Sequence, residues 1–420
     1  MDIYVYIDAI GITEGPQFMG VLRAESIRGK EVFSFRYDKA MLRNKAIAYL
    51  DPDIQPYEGE QYAPAEKENF GIFLDSCPDR WGRVLMQRRE RIRAKDAGTE
   101  PRKLRPSDYL LGVFDGNRMG ALRFKTSLDG SFLDNDEHLA APPITTLRTL
   151  EQASLNYERD DAEDSPEYRL WLRMLYQPGS SLGGARPKAN VIDTDGSLWI
   201  AKFPSRHDDI DVGAWEFIVT QMAGEFGIHV PQTAVRRYSS RHHTFLTRRF
   251  DRDGMLARYY FASAMTLLGY TDGDDAAAGV SYLELADFIQ QYGTPKQQQD
   301  LHELWRRVVF NIAISNCDDH LRNHGFMLSA KGWQLSPAYD LTPNPDGLGL
   351  KLNINENDNS LDFDLAIQTA PLYGMGLDEA EHAVETCRKI CSSWRGRADA
   401  LGISRSEQDR MASAFKTISF

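Results

Sequence analysis

The residues best suited to chemistry lie in Asp318-Asp319-His320-Leu321-Arg322-Asn323 and in Pro337-Ala338-Tyr339-Asp340. An Asp, an Asn five positions later, and a second Asp beyond a short hairpin pattern supply the oxygen groups that metal-assisted phosphoryl transfer needs. One carboxylate orients the attacking hydroxyl; an amide oxygen and a second carboxylate hold the divalent cation at the phosphates. Asp318 is therefore the candidate base, and Asn323 and Asp340 are the candidate Mg²⁺ ligands. His320 and Arg322 lie between them, placed to brace the loop or touch phosphate. Asp319 rivals Asp318, but only Asp318 has the Asn at plus five. Asp-Asp-His alone would read as a capped surface turn. The spacing, the hairpin and Asp340 together carry the chemical reading.

Phosphoryl transfer also needs a nucleotide held upstream. Ser180-Ser181-Leu182-Gly183-Gly184-Ala185-Arg186-Pro187-Lys188 is a glycine-rich stretch. Its backbone N–H groups can approach phosphate because glycine lacks the Cβ that would clash. Gly183, Gly184, Ala185, Arg186, Pro187 and Lys188 are the candidate ATP contacts there. Trp199-Ile200-Ala201-Lys202 follows, a strand ending in a lysine suited to the α- and β-phosphates. Each signal is weak alone, since a Gly-Gly pair is usually a turn and a strand lysine usually points outward. The order of loop, lysine, Asp and second Asp is the one protein kinases use. Glu216 is either an ion-pair partner for Lys202 or a solvated helix residue. Thr247, Arg248 and Arg249 fall where a hinge would meet adenine, mainly through backbone groups. No Gly-Lys-Ser/Thr follows the glycines, no Gly-x-Gly-x-x-Gly precedes a helix, and no Gly-x-Ser-x-Gly elbow occurs.

The elements that must position these residues can be read from periodicity and breakers. Residues 1–125 read as a β-rich module: alternating apolar positions at Ile3, Val5 and Ile7, then Met19–Arg23 and Glu31–Tyr37. An Arg-rich helix over Trp81–Lys95 follows, its charges read as a solvated face. Residues 126–167 read as a connector, turn-rich at one end and acidic at the other. Residues 168–250 form an ATP-binding region with strands at Ala189–Ile192, Leu198–Phe203 and His243–Phe250 and a helix over Val212–Phe226. Residues 251–420 read as a helical lobe carrying the catalytic loop, with helices over Val280–Tyr292, Lys296–Ile314 and Glu379–Ser392. A hairpin of Gly325–Leu328 and Trp333–Leu335 interrupts that lobe. The fold class is α+β.

The chain of 420 residues has a net charge of -12, with 42% hydrophobic and 26% charged residues. That balance argues against nucleic-acid binding as the main role. The four cysteines lack metal-site spacing and read as reduced thiols of a cytoplasmic protein. The first residues alternate and carry acid, a strand rather than a signal peptide, and no apolar run is long enough for a membrane.

Taken together, these residues resemble the HipA family, the serine/threonine-kinase toxins of bacterial type II toxin–antitoxin systems. The resemblance is carried by Ser181–Lys188, the Lys202 strand, Arg249-Phe250-Asp251-Arg252, Asp318–Asn323 and Pro337–Asp340. Asp75-Ser76-Cys77-Pro78-Asp79-Arg80-Trp81-Gly82-Arg83 extends it to the N-terminal part. It departs at Arg248, where some members carry Glu. The resemblance implies a protein-kinase-like two-lobed fold, with a β-rich N-terminal subdomain and a mainly helical C-terminal lobe. It implies ATP and Mg²⁺ as cofactors, and a protein substrate such as an aminoacyl-tRNA synthetase, whose phosphorylation stalls translation and brings growth arrest or persistence. It also implies a small helix-turn-helix antitoxin like HipB, with operator DNA reached only through that partner. Ser181 matches the family's autophosphorylated serine, with Ser180 as the neighbouring alternative. A small-molecule or lipid kinase on the same fold and a non-catalytic antitoxin-binding corepressor are the competing readings.

Overall fold

The computed structural model describes residues 1–133, 141–176, 184, 186–254 and 257–418. The architecture is α+β, with antiparallel sheets in the N-terminal part and helices towards the C-terminus. The chain divides into two compact units. One comprises Met1–His207 with Arg237–Ala262, and the other Asp208–Arg236 with Ser263–Phe420.

The first unit opens with β1 (Asp2–Ile7), β2 (Gln17–Ile27), β3 (Lys30–Tyr37), β4 (Gln61–Tyr62) and β5 (Leu122–Lys125), ordered β4-β3-β2-β1-β5 with antiparallel pairing. Alternation in β1 buries Ile3, Val5 and Ile7 on one face, where Phe33, Phe35, Phe73 and Phe124 are also buried. Gly20 must be glycine, since a Cβ there would collide with the Arg36 carbonyl of the paired strand.

Helix α1 (Arg80–Ala97) starts at Asp79, whose Oδ1 accepts from Gly82 N at 2.7 Å, and stops at Gly98 with φ 63°. Its arginines are less solvated than their number suggests. Arg83, Arg88 and Arg89 lie over the rings of Tyr109, Tyr157 and Tyr176 at 4.7, 4.5 and 4.2 Å. Residues expected to be a connector instead contain α2 (Leu147–Tyr157). It packs with α1 and α3 (Tyr168–Tyr176) around Trp81, Leu85, Ala153, Tyr157, Leu172 and Leu175. The acidic and proline-rich flanks hid a helix whose apolar stripe of Leu147, Leu150 and Tyr157 is buried.

Strands β6 (Lys188–Ile192), β7 (Leu198–Lys202) and β8 (Thr244–Arg248) pair antiparallel in that order. The second unit holds α4 (Val212–Glu225), α5 (Tyr282–Tyr292), α6 (Gln297–Ala313) and α7 (Leu377–Cys391), and the hairpin of β9 (Gly325–Ser329) and β10 (Gly332–Leu335) lies in the chain between α6 and α7. Ser281 and Glu284 form a capping box at the start of α5. No described helix is long and apolar enough to cross a membrane.

Candidate active site

The α6 helix ends at Ala313, and the chain turns through Ser315 at φ 50° into the Asp318–Asn323 loop. Two adjacent carboxylates there take opposite surroundings. Asp319 is 2% exposed. It accepts from Tyr282 Oη at 2.7 Å and Asn311 Nδ2 at 2.5 Å, and lies 2.7 Å from His324 Nε2. Burial alone would push the Asp319 carboxyl up. The His324 ring and the hydrogen bonds from His324 and Tyr282 outweigh burial and hold it below the usual carboxylate range. Asp318 is exposed. Its backbone carbonyl accepts from His320 N at 2.9 Å and from Asn323 Nδ2 at 2.9 Å.

That last bond orients the Asn323 amide. With Nδ2 committed to the Asp318 carbonyl, Oδ1 is the amide atom left to face a hard cation. Asn323 itself is 7% exposed and closes a short turn, its N–H donating to the His320 carbonyl at 2.8 Å. His320 is half-buried, and its Nδ1 has no hydrogen-bond partner among the described residues. Arg322 Nη2 lies 3.7 Å from Asp272, and the Arg322 carbonyl accepts from Tyr339 Oη at 2.9 Å. Tyr339 thereby ties the segment entering Asp340 to the loop. Asp340 is half-buried and has φ 55°, the left-handed region that Asp and Asn tolerate better than other side chains. Asn323 and Asp340 offer oxygen donors of the kind Mg²⁺ prefers. No cluster of three or more His, Cys, Asp or Glu suited to a metal occurs among the described residues.

In the first unit, register sets Lys188 opposite Lys202, and Lys202 opposite Phe245. Like charges facing each other across a strand pair repel. Lys188 is 2% exposed, and its Nζ lies 3.0 Å from Asp79 Oδ2, so a carboxylate from the start of α1 meets its charge. The same Nζ reaches the Gly184 carbonyl at 3.4 Å. Lys202 is half-buried, its Nζ 5.6 Å from the Phe245 ring centroid. Arg186 Nη2 donates to the Phe203 carbonyl at 3.4 Å, and the N–H of Phe203 donates to the Pro187 carbonyl at 2.9 Å. Gly184, Arg186, Pro187 and Lys188 thus lead directly into β6. Ser180, Ser181, Gly183 and Ala185 lie outside the described residues.

Thr247 is buried opposite Ile200, and Arg248 is half-buried opposite Trp199. Arg249 is fully engaged within the protein. Its guanidinium donates to Asp251 Oδ1 and Oδ2 at 2.8 and 2.7 Å, to the Asn117 carbonyl at 2.7 Å, and to Asn190 Oδ1 at 3.1 Å. Arg252 pairs with the same carboxylate at 2.6 Å and also bonds the Arg118 carbonyl. Burial would raise the Asp251 carboxyl, but the two guanidiniums depress it to about 2. Glu216, on α4, is 3% exposed, which rules out the solvated alternative.

Sequence reasoning did not assign the roles of Asp79, Tyr282, Asn311 and His324. Asp79 stood in a noted motif, but its reach to Lys188 spans more than a hundred residues. His324 directly follows Asn323, and that adjacency is the one local signal for the network around Asp319.

Comparison with known proteins gives three findings. A family model described as the HipA-like C-terminal domain matches residues 180–398. The serine/threonine-protein kinase toxin HipA of Shewanella oneidensis is 25% identical over 271 residues, covering 56% of this chain and 59% of the relative. A solved structure of the Shewanella oneidensis toxin–antitoxin complex of HipA, HipB and operator DNA is similar in fold. It has a TM-score of 0.65 and 16% identity, with 99% of this chain and 95% of that chain covered. The chain spans 59% to 63% of the length of two curated relatives it matches.

Proposed function

Because this chain belongs to the HipA-like C-terminal domain family, we propose that it is an ATP- and Mg²⁺-dependent serine/threonine protein kinase acting as the toxin of a toxin–antitoxin pair. The observation that carries the reading is the division of labour between Asp318 and Asp319. The Asp319 carboxylate anchors the loop through three side chains, and the exposed Asp318 carboxylate is left to meet a substrate hydroxyl.

In this reading the Ser or Thr hydroxyl oxygen attacks the γ-phosphorus of ATP. The bond from that phosphorus to the β–γ bridging oxygen breaks, ADP leaves, and the hydroxyl proton passes to Asp318. Asn323 and Asp340 would hold Mg²⁺, which supplies charge neutralisation at the phosphates. Lys202 is the candidate for the α- and β-phosphates. Gly184 and the backbone leading to Lys188 line the phosphate approach, and the Arg248 region supplies the hinge. Autophosphorylation falls on Ser181; a phosphate there adds close to two negative charges and would repel ATP. The partner is a small HipB-like antitoxin that carries the contact with operator DNA, and the substrate is a protein such as an aminoacyl-tRNA synthetase.

The test is transfer of labelled phosphate from Mg-ATP by purified protein, with phosphoproteomics after induced expression. Asp318→Ala is expected to reduce transfer roughly 10²- to 10⁴-fold while ATP binding persists. Absence of both labelling and ATP binding in the wild type would refute the reading.

A further inference from the structure

Cys317, the residue before Asp318, is pressed against the segment that follows Asp340. A Cβ at Gly347 would collide with the Cys317 sulfur, and the backbone N–H groups of Leu348 and Gly349 face that sulfur. The segment is fixed from its other side too. Ser413 Oγ donates to the Pro345 carbonyl at 2.8 Å, and Lys416 Nζ to the Gly347 carbonyl at 3.1 Å. Leu350 N donates to the Asn359 carbonyl at 2.7 Å, and Asn359 Nδ2 donates back to the Leu350 carbonyl at 2.6 Å. Leu350 is 2% exposed, yet Leu348 is 89% exposed, the highest value among the exposed large hydrophobic residues of the described chain.

An exposed leucine is ordinary on a surface. A leucine held out by a backbone tethered from both sides, whose own N–H faces the sulfur of Cys317, the residue before a candidate base, is a different case. Its backbone is already ordered, so a partner that covers it loses little further conformational freedom.

We propose that Leu348 is a specificity-determining residue that packs against an apolar side chain flanking the phosphoacceptor Ser or Thr of a protein substrate. The proposal rests on the kinase reading above and names what that site selects. Neighbouring Asp346 is exposed and adds a negative charge beside the apolar contact, which disfavours acidic flanks.

The experiment uses the full chain, labelled Mg-ATP, and a peptide set with one central Ser. Each flanking position is varied in turn among Leu, Lys and Glu. Wild type is expected to favour Leu at one flanking position. Leu348→Lys is expected to raise KM for the Leu peptide about ten-fold and shift the preference at that position to Glu. The KM for ATP and the melting temperature should stay unchanged, because the side chain supports neither. An unaltered flank preference in Leu348→Lys would overturn the inference and leave the kinase reading standing. The same holds if wild type labels itself or a protein but shows no flank preference. Failure of wild type to bind or use ATP defeats the kinase reading and the inference with it.

Discussion

Arg249-Phe250-Asp251-Arg252 in the first unit and Asp318–Asn323 in the second are both dense in charge, and they use it in opposite ways. In the first, the Arg249, Asp251 and Arg252 side chains are at most 1% exposed, and they bond to one another and to the Asn117 and Arg118 carbonyls. The charge there holds the fold. In the second, the Asp319 carboxylate is committed to its neighbours and the Asp318 carboxylate is left exposed. A charged motif therefore reports chemistry only where burial leaves a group unspent, and motif membership does not separate the two uses.

The sharpest way to break the contrast is to remove one carboxylate from each region. Asp251→Ala leaves two buried guanidiniums uncompensated and is expected to cost about 3–5 kcal/mol, read as a lower urea midpoint. Asp318→Ala is expected to change stability by less than about 0.5 kcal/mol while cutting phosphate transfer roughly 10²- to 10⁴-fold. Equal stability losses in the two variants would erase the distinction. Asp319→Ala tests the boundary between the two uses. It leaves Tyr282 Oη, Asn311 Nδ2 and the His324 ring without their acceptor and is expected to cost roughly 1–3 kcal/mol, with a fall in kcat larger than any change in the KM for ATP.

Smaller effects separate buried carboxylates by the sign of their titration. Asp251 is depressed to about 2, so its stabilising charge is present above pH 4 and lost as pH falls through about 2. Asp51 goes the other way. Burial raises it to about 6 against the N–H groups of Asp53 and Ile72 that bond it. Its ionisation opposes folding, a cost absent below pH 4 and fully present above about 6. Asp51→Ala should thus cost about 1 kcal/mol more at pH 5 than at pH 8, measured by urea unfolding at each pH. A difference of the reverse sign would contradict the assignment.

Much of the scaffold was legible in the sequence, for identifiable reasons. The helix expected over Lys296–Ile314 is Gln297–Ala313, and the hairpin expected at Gly325–Leu328 and Trp333–Leu335 is Gly325–Ser329 and Gly332–Leu335. Both rest on local periodicity and turn residues, which a single sequence displays. The plus-five relation of Asp318 and Asn323 is likewise local, and the bond from Asn323 Nδ2 to the Asp318 carbonyl is its physical form. The helix within 126–167 was missed because its flanks are polar and its apolar face is completed by Trp81 and Leu85, far upstream, as well as by the neighbouring α3. The engagement of Arg249 with Asn117 and of Lys188 with Asp79 was hidden for the same reason: burial of a charge depends on groups more than a hundred residues away.

The left-handed backbone at Asp340 has a consequence for how the site is probed. Alanine at φ 55° adds roughly 1 kcal/mol of backbone strain to the loss of the carboxylate, so an alanine scan would confuse a distorted segment with a missing ligand. Asparagine tolerates the same backbone angle and keeps an oxygen donor while removing the charge. Asp340→Asn is thus the substitution in which a change in metal dependence can be read as electrostatics alone.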